Sequence, residues 1–185
     1  MANFRKIADK QDQRVSKCTG WAIECNSGAT KGRKGDLKGY NILVETKTKA
    51  VKSEGISISE VWFDKLHSQA FSMGKELNVI VFSFGDGKDY AAMSLRIWNK
   101  IFDMRRFGSG VSKLTVESSG KSKKTVTITD KHFEDLAILK LEQNTHKSIL
   151  CFYYNPPIQY VAMDLDQFIE TYNEYLHNTK NLGGL

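Results

Sequence analysis

Cysteine is scarce. Cys18, Cys25 and Cys151 are the three in 185 residues, an odd number with no CxxC pair. That spacing excludes a disulfide framework and a cysteine-based structural zinc site. The four histidines, His67, His132, His146 and His177, form no HxxxH pair, and solvated or half-buried histidines are the better reading. No run approaches the roughly 18–20 apolar residues that a membrane span requires. Residues 1–17 alternate charged and apolar side chains and contain no signal-peptide core. A cytoplasmic chain with no membrane partner is expected. GATKGRKG lacks the spacing of a phosphate-binding P-loop, and GSG at 108–110 is too short for a dinucleotide loop.

What is present is a globular composition, 41% hydrophobic and 11% aromatic, long enough to bury a real core. The formal net charge is +6, and the basic residues are clustered. Lys31, Arg33, Lys34 and Lys38 fall in one loop, with Lys47, Lys49 and Lys52 just after it. Arg105 and Arg106, then Lys121, Lys123 and Lys124, form later groups. Such clusters beside carboxylates suit a phosphodiester substrate.

Hydrophobic spacing predicts a helix over 3–17 with Phe4, Ile7 and Val15 among charged neighbours, then a short strand over 21–25. Residues 26–35 are rich in Gly, Lys and small polar residues and read as a loop. An apolar strand follows over 41–47, and a helix opened by Ser59 runs to about residue 73 and is closed by Gly74. A buried strand over 77–84, a turn at 86–88, a strand over 90–93 and a helix over 95–104 complete the first half.

The second half repeats this order. With Ile56 set on Val126, ISISEVWFDKL matches VTITDKHFEDL, and VIVFSF then falls on ILCFYY without a gap. DYAAMSL likewise falls on QYVAMDL, pairing Tyr90 with Tyr160, Ala92 with Ala162 and Met93 with Met163. A constant offset with identities at corresponding strand and helix positions indicates an internal duplication. The expected division is a core over 1–104 and a degenerate strand-helix-strand-strand-helix half-repeat over 105–185. That half-repeat either packs pseudo-symmetrically on the first half or enlarges a dimer interface. Upstream of Val126 it offers Glu117, with Ser119 where a lysine would be required, so one active site per chain is expected.

The chemistry lies in KGDLKGYNILVETKTK, residues 34–49. Residues two apart on a strand face the same side, about 6.6 Å apart along the axis. Glu45 and Lys47 therefore share a pocket, while Thr46 points away and offers its backbone carbonyl. A hairpin through Lys38, Gly39 and Tyr40 brings Asp36 alongside Glu45. Two carboxylates and a carbonyl make the oxygen-rich site that Mg²⁺ (or Mn²⁺) takes. Such an ion activates water for phosphodiester hydrolysis, with Lys47 orienting the water or stabilising developing charge.

KQDQRV, NSGA, KGD, VETKTK and QAFSMGK, in that order over residues 10 to about 93, resemble the Holliday-junction resolvases of archaea and phages, within the PD-(D/E)xK nuclease superfamily. The resemblance implies an α/β, restriction-endonuclease-like core with a mixed central sheet flanked by helices and the site at one sheet edge. It implies Asp36 and Glu45 as principal metal ligands, Lys47 as catalytic lysine and Asp12 as the carboxylate on the first helix. Glu24 stands as an alternative third carboxylate. Ser27 and Gly28 would approach DNA near the scissile phosphate, with Lys31, Arg33, Lys34 and Lys49 as further DNA contacts. Four-way or other branched DNA would be the substrate, and a homodimer would make two symmetric nicks, in the host cytoplasm for a phage chain. Two alternatives are open: a repair, flap or restriction-like nuclease, and a non-catalytic DNA-binding or anti-defence protein on a nuclease fold. Trp21, Trp62 and Trp98 read as core or interface residues, and Gln69 as a solvent-facing helical residue that could instead face the site.

Overall fold

The computed structural model describes residues 2–24, 35–102, 110–117, 124–154 and 159–182. The chain is α/β, with a mixed central sheet flanked, among the described residues, by five helices. In order, the first half contains α1 (Ala2–Thr19), β1 (Ala22–Ile23), β2 (Leu37–Lys38), β3 (Ile42–Thr48) and β4 (Gly55–Ser59). It continues with α2 (Glu60–Ser72), β5 (Leu77–Ser83), β6 (Tyr90–Ser94) and α3 (Leu95–Ile101). The second half contains β7 (Val111–Glu117), β8 (Thr125–Thr129), α4 (Asp130–Glu142), β9 (Lys147–Tyr153), β10 (Gln159–Asp164) and α5 (Leu165–Leu182). Among the described residues no helix is long and apolar enough to cross a membrane. The helix expected over 95–104 ends at Ile101, where Phe102 turns extended; residues 103 and 104 lie outside the described residues.

Eight strands form the main sheet in the order β1-β2-β3-β5-β6-β10-β9-β7, and β4 and β8 pair as a separate ribbon. Strand alternation gives the sheet two apolar faces. On one, Val44, Val79, Val81, Met93 and Met163 pack with Val15 of α1, Trp98 of α3 and Phe168 of α5. On the other, Leu43, Ile80, Phe82, Ala92 and Ala162 pack under α2, α4 and the β4–β8 ribbon. All seven residues of β5 are buried, as expected of a strand covered on both sides.

Two ladder registers follow the 70-residue offset. In the antiparallel β6–β10 pair, Ala92 faces Ala162, its own counterpart at an offset of 70. In the antiparallel β4–β8 pair, Ser57 faces Thr127, again its counterpart, and their hydroxyls are 3.2 Å apart. A pseudo-two-fold axis thus passes through both ladders. Ring packing obeys it. Phe133 of α4 stacks on Tyr90 with centroids 4.1 Å apart, and Phe63 of α2 lies 4.4 Å from Tyr160. Each helix therefore plugs the other half's aromatic cluster. Backbone conformation obeys it too: Asn144, at a left-handed φ of 48°, stands where the first half has Gly74 at 62°, both ending a helix in the conformation glycine and asparagine tolerate best.

The offset changes by one at the first strand of each half. Ile42 pairs with Leu77, but Val111 pairs with Lys147, so β7 sits one residue out of the 70-residue frame. This corrects the sequence alignment of the second half. Leu114 and Val116, opposite Leu150 and Phe152, stand where Glu45 and Lys47 stand opposite Ile80 and Phe82. The sequence comparison instead used Glu117 and Ser119, and Ser119 lies outside the described residues. The extra residue falls in the connection between β7 and β8, where side-chain pattern gives no register.

Because the two halves share one sheet and exchange aromatic plugs, they are expected to unfold as one cooperative unit. Phe63→Ala and Phe133→Ala should each cost about 3–5 kcal/mol, read as a lowered midpoint in urea with a single transition. Two separable transitions in either variant would contradict the shared core.

Candidate functional site at the open edge of the third strand

Strand β3 is bordered by only two residues of β2, where Leu37 faces Val44 and Lys38 faces Leu43. Continuing that register one step sets Asp36 opposite Glu45. Gly35 makes the approach feasible: its φ is 73°, and a Cβ there would meet the Leu43 side chain at 2.7 Å and the Val44 carbonyl at 2.9 Å. Beyond Val44 the outer edge of β3 has no strand partner among the described residues. Backbone groups alternate along a strand. The carbonyls of Ile42 and Val44 accept from Gly39 and Asp36 on the β2 side, so Thr46 presents its amide and carbonyl to that same edge.

At this edge the two faces of the sheet meet. Asp36 Oδ2 accepts from the Thr46 amide at 2.8 Å and lies 3.2 Å from the Thr46 hydroxyl. That hydroxyl donates to Asp12 Oδ1 at 2.6 Å, the shorter contact taking its one proton. Glu45 and Lys47 project to the opposite face and pair at 2.6 Å, with the Lys47 ammonium 5.5 Å from the centroid of the Trp62 ring. Asp12, Asp36, Glu45, Thr46, Lys47 and Lys49 all line one cleft of about 520 Å³, together with Gln11, Ser57 and Trp62. A larger cleft of about 800 Å³, lined by Arg14, Lys88, Asp89, His146, Asp166 and Glu170 among others, mixes both signs of charge and adjoins the first through α1.

Helix α1 delivers Asp12. Val15 anchors its inner face, and Arg14 grips Asp89 at the start of the next hairpin strand with two bonds of 2.6 and 2.9 Å. Gln11 Nε2 donates to Asp89 at 3.0 Å and reaches the Lys47 carbonyl at 3.5 Å. Both partners are acceptors, which fixes the amide orientation. Gln11 is 1% exposed, and its Oε1 has no partner among the described residues. Such an acceptor calls for a donor such as a water in the cleft. Gln69 Oε1 is likewise buried and unpartnered, in a small cavity of about 100 Å³ that it shares with Glu45, Lys47 and Trp62.

Burial raises the Asp12 pKa to about 6, and the negative charges of Asp36, Asp9 and Glu45 add to this against the lowering hydrogen bond from Thr46. Crowded, half-buried carboxylate charge of this kind calls for a cation. The donors fit a hard divalent ion: carboxylate oxygens from Asp12, Asp36 and Glu45 and the edge carbonyl of Thr46. Among the described residues, no three His, Cys, Asp or Glu side chains stand close enough to hold one in the present rotamers. Glu45 is drawn to Lys47, and Asp12 and Asp36 share Thr46.

Of the two candidates for a third carboxylate, Asp12 lines the cleft. Glu24 is engaged by Lys38 in an ion pair on the neighbouring hairpin. Ser27, Gly28, Lys31, Arg33 and Lys34 lie outside the described residues. Trp21 and Trp98 are core residues, whereas Trp62 borders the cleft. Sequence spacing pointed to Glu45, Lys47 and Asp36, but it gave no signal for Gln11, Trp62 or the Thr46 hydroxyl. Compared with known protein families, characterised proteins and solved structures, the chain gives no match.

The raised Asp12 pKa has a stability consequence. A carboxyl whose pKa climbs from 3.8 to about 6 on folding lowers stability as pH rises past 3.8, in full above about 6. In chelator, Asp12→Asn is expected to raise Tm by a few degrees near about pH 7.5, the gain vanishing near about pH 4. Added Mg²⁺ should raise the wild-type Tm more than the variant's. A variant that melts lower than wild type at neutral pH in chelator would contradict the crowding.

Proposed function

We propose that the chain is a metal-dependent DNA endonuclease, with Mg²⁺ or Mn²⁺ as cofactor and branched DNA, such as a four-way junction, as substrate. One observation carries this reading: Asp36 opposite Glu45, with Lys47 and Asp12, in one cleft at an open strand edge. A restriction-endonuclease-like core of the resolvase type is the fold reading that goes with it, supported by the order of motifs from Lys10 to Met93. The net charge of +6 and Lys49 on the cleft wall suit a polyanion.

Phosphodiester hydrolysis consumes one water. Its oxygen bonds to phosphorus, the bond from phosphorus to one sugar oxygen breaks, and that oxygen gains a proton while the water loses one. Asp36, Glu45 and Asp12, with the Thr46 carbonyl, would hold the ion, which when bound lowers the pKa of water and neutralises charge on the phosphate. Lys47 lies beside Glu45, where its ammonium can orient the attacking water or meet the developing charge. Trp62 keeps one wall of the cleft apolar and holds the Lys47 side chain over its ring. The Thr46 hydroxyl braces Asp12, and its amide braces Asp36.

A second reading, a DNA-binding protein without catalysis, draws support from the closed Glu45–Lys47 pair and from the lack of a ready three-acid group among the described residues. Cleavage separates the two. With Mg²⁺, a four-way junction should be cut in preference to a flap, a duplex and a single strand. Asp36→Ala and Lys47→Ala should each lower the rate at least about 100-fold. Equal cutting of all four substrates would remove the junction preference and leave a repair-type or restriction-like nuclease. Junction binding without cleavage by wild type would favour the non-catalytic reading.

A further inference from the structure

The ladders that reveal the duplication also describe what the second half replaces. In a two-fold dimer the interface is isologous: residue i faces j′, and j faces i′. The β6–β10 pair has this pattern within one chain. Ala91 faces Met163 and Met93 faces Val161, reciprocal positions at an offset of 70, flanking the self-pair Ala92–Ala162. The ribbon repeats it, with Ile56 facing Ile128 and Ile58 facing Val126. The exchanged plugs, Phe63 on Tyr160 and Phe133 on Tyr90, are what two copies would trade across such an interface.

We infer that the chain is a fused dimer with one working half, and that it acts as a monomer cutting one strand per binding event. This rests on the nuclease reading above. The resemblance to resolvases implies two symmetric nicks by two copies. Here the surface through which a copy of the first half would pair, strand β6 and ribbon strand β4, is filled by β10 and β8. At the two positions related to Glu45 and Lys47, β7 offers no acid or lysine. Leu114 and Val116 occupy the Glu45 and Lys47 positions and pack against the aromatic core. His132, which corresponds to Trp62, is spent on a helix-capping box with Thr129. At the far end of the sheet β7 has no outer neighbour among the described residues. Its solvent-facing Lys113 and Glu117 are the kind of charged edge residues that discourage pairing with another chain.

The test uses the full chain and a supercoiled plasmid carrying an inverted repeat that extrudes as a four-way junction, with Mg²⁺. Sedimentation equilibrium is expected to give a mass near 21.0 kDa with and without a synthetic junction in modest excess, after subtracting the DNA. Nicked circle should accumulate first, with linear product appearing only after a lag. Mixing with an equal amount of the Asp36→Ala chain, at substrate excess, should leave activity proportional to the wild-type fraction. A mass of two chains, linear product without a lag, or suppression of activity by the inert chain beyond dilution would each overturn the inference while keeping the nuclease. No cleavage of any DNA would sink the nuclease reading, and the single-nick claim with it, whatever the mass.

Discussion

The antiparallel ladder between β6 and β10 is the constraint on which the rest of the structure depends. It joins the two halves in the middle of the sheet, and its register sets where everything beyond it lies. Ala92 and Ala162 meet at its centre, both fully buried. Their small side chains leave room above that face for the rings of Phe82, Tyr90, Phe133 and their counterparts. Those rings pair at 4–6 Å, the range in which aromatic contacts add to simple burial. A slip of one residue would turn every inward side chain of β10 to the other face. Self-pairing of equivalent residues in two separate ladders leaves little freedom for another arrangement.

The candidate site hangs from this frame at one remove. β6 holds β5, and β5 holds β3 in parallel register, so the Glu45–Lys47 end of β3 stops at a fixed height on the sheet edge. The hairpin that starts β6 supplies Asp89, and Asp89 is what Arg14 and Gln11 of α1 grasp. Asp12, one residue along the helix, is thereby registered against Thr46. Asp89 touches none of the three carboxylates of the cleft, yet it decides where one of them stands. A position of this kind carries no motif.

That difference explains what the residues reveal before folding and what they do not. Local pattern was enough for the helices and for strands β3, β5 and β6, for the caps at Ser59 and Gly74, and for the Asp36–Glu45 hairpin, but not for β4, whose ribbon with β8 forms only between the halves. The reason is that alternation, capping and turn chemistry act over a few residues. The 70-residue offset was visible because β4 through the last helix carries no insertion. The register of β7 is not legible in the sequence, because the constant offset begins only at β4 and β8; the acid-to-acid match of Glu117 with Glu45 falls three residues past Leu114, which the ladder sets there. Gln11, Trp62 and the Thr46 hydroxyl join the cleft only through tertiary packing. The sequence assigned Thr46 a carbonyl at the edge. Its side chain, on the other face, turns out to be the link between two acids.

The asymmetry between the halves is the clearest energetic sign that the first half is kept for something other than stability. Both halves had the same strand, ribbon and helix with which to close this corner. The second half closes it with Leu114 and Val116, which bury apolar surface at a gain of about 25 cal/mol per Å². The first half keeps Glu45 and Lys47 there, adds Asp12 and Asp36 across the edge, and leaves the Gln11 and Gln69 carbonyls buried without protein partners among the described residues. The crowded carboxylates cost stability in the metal-free chain, since burial and neighbouring negative charge disfavour the ionised Asp12. Local departures from the stable solution, gathered in one cleft with that solution present at the symmetry-related position of the same molecule, are what a functional site looks like. The second half supplies a control at two positions, because Leu114 and Val116 where the first half has Glu45 and Lys47 show that the fold did not require a charge at either.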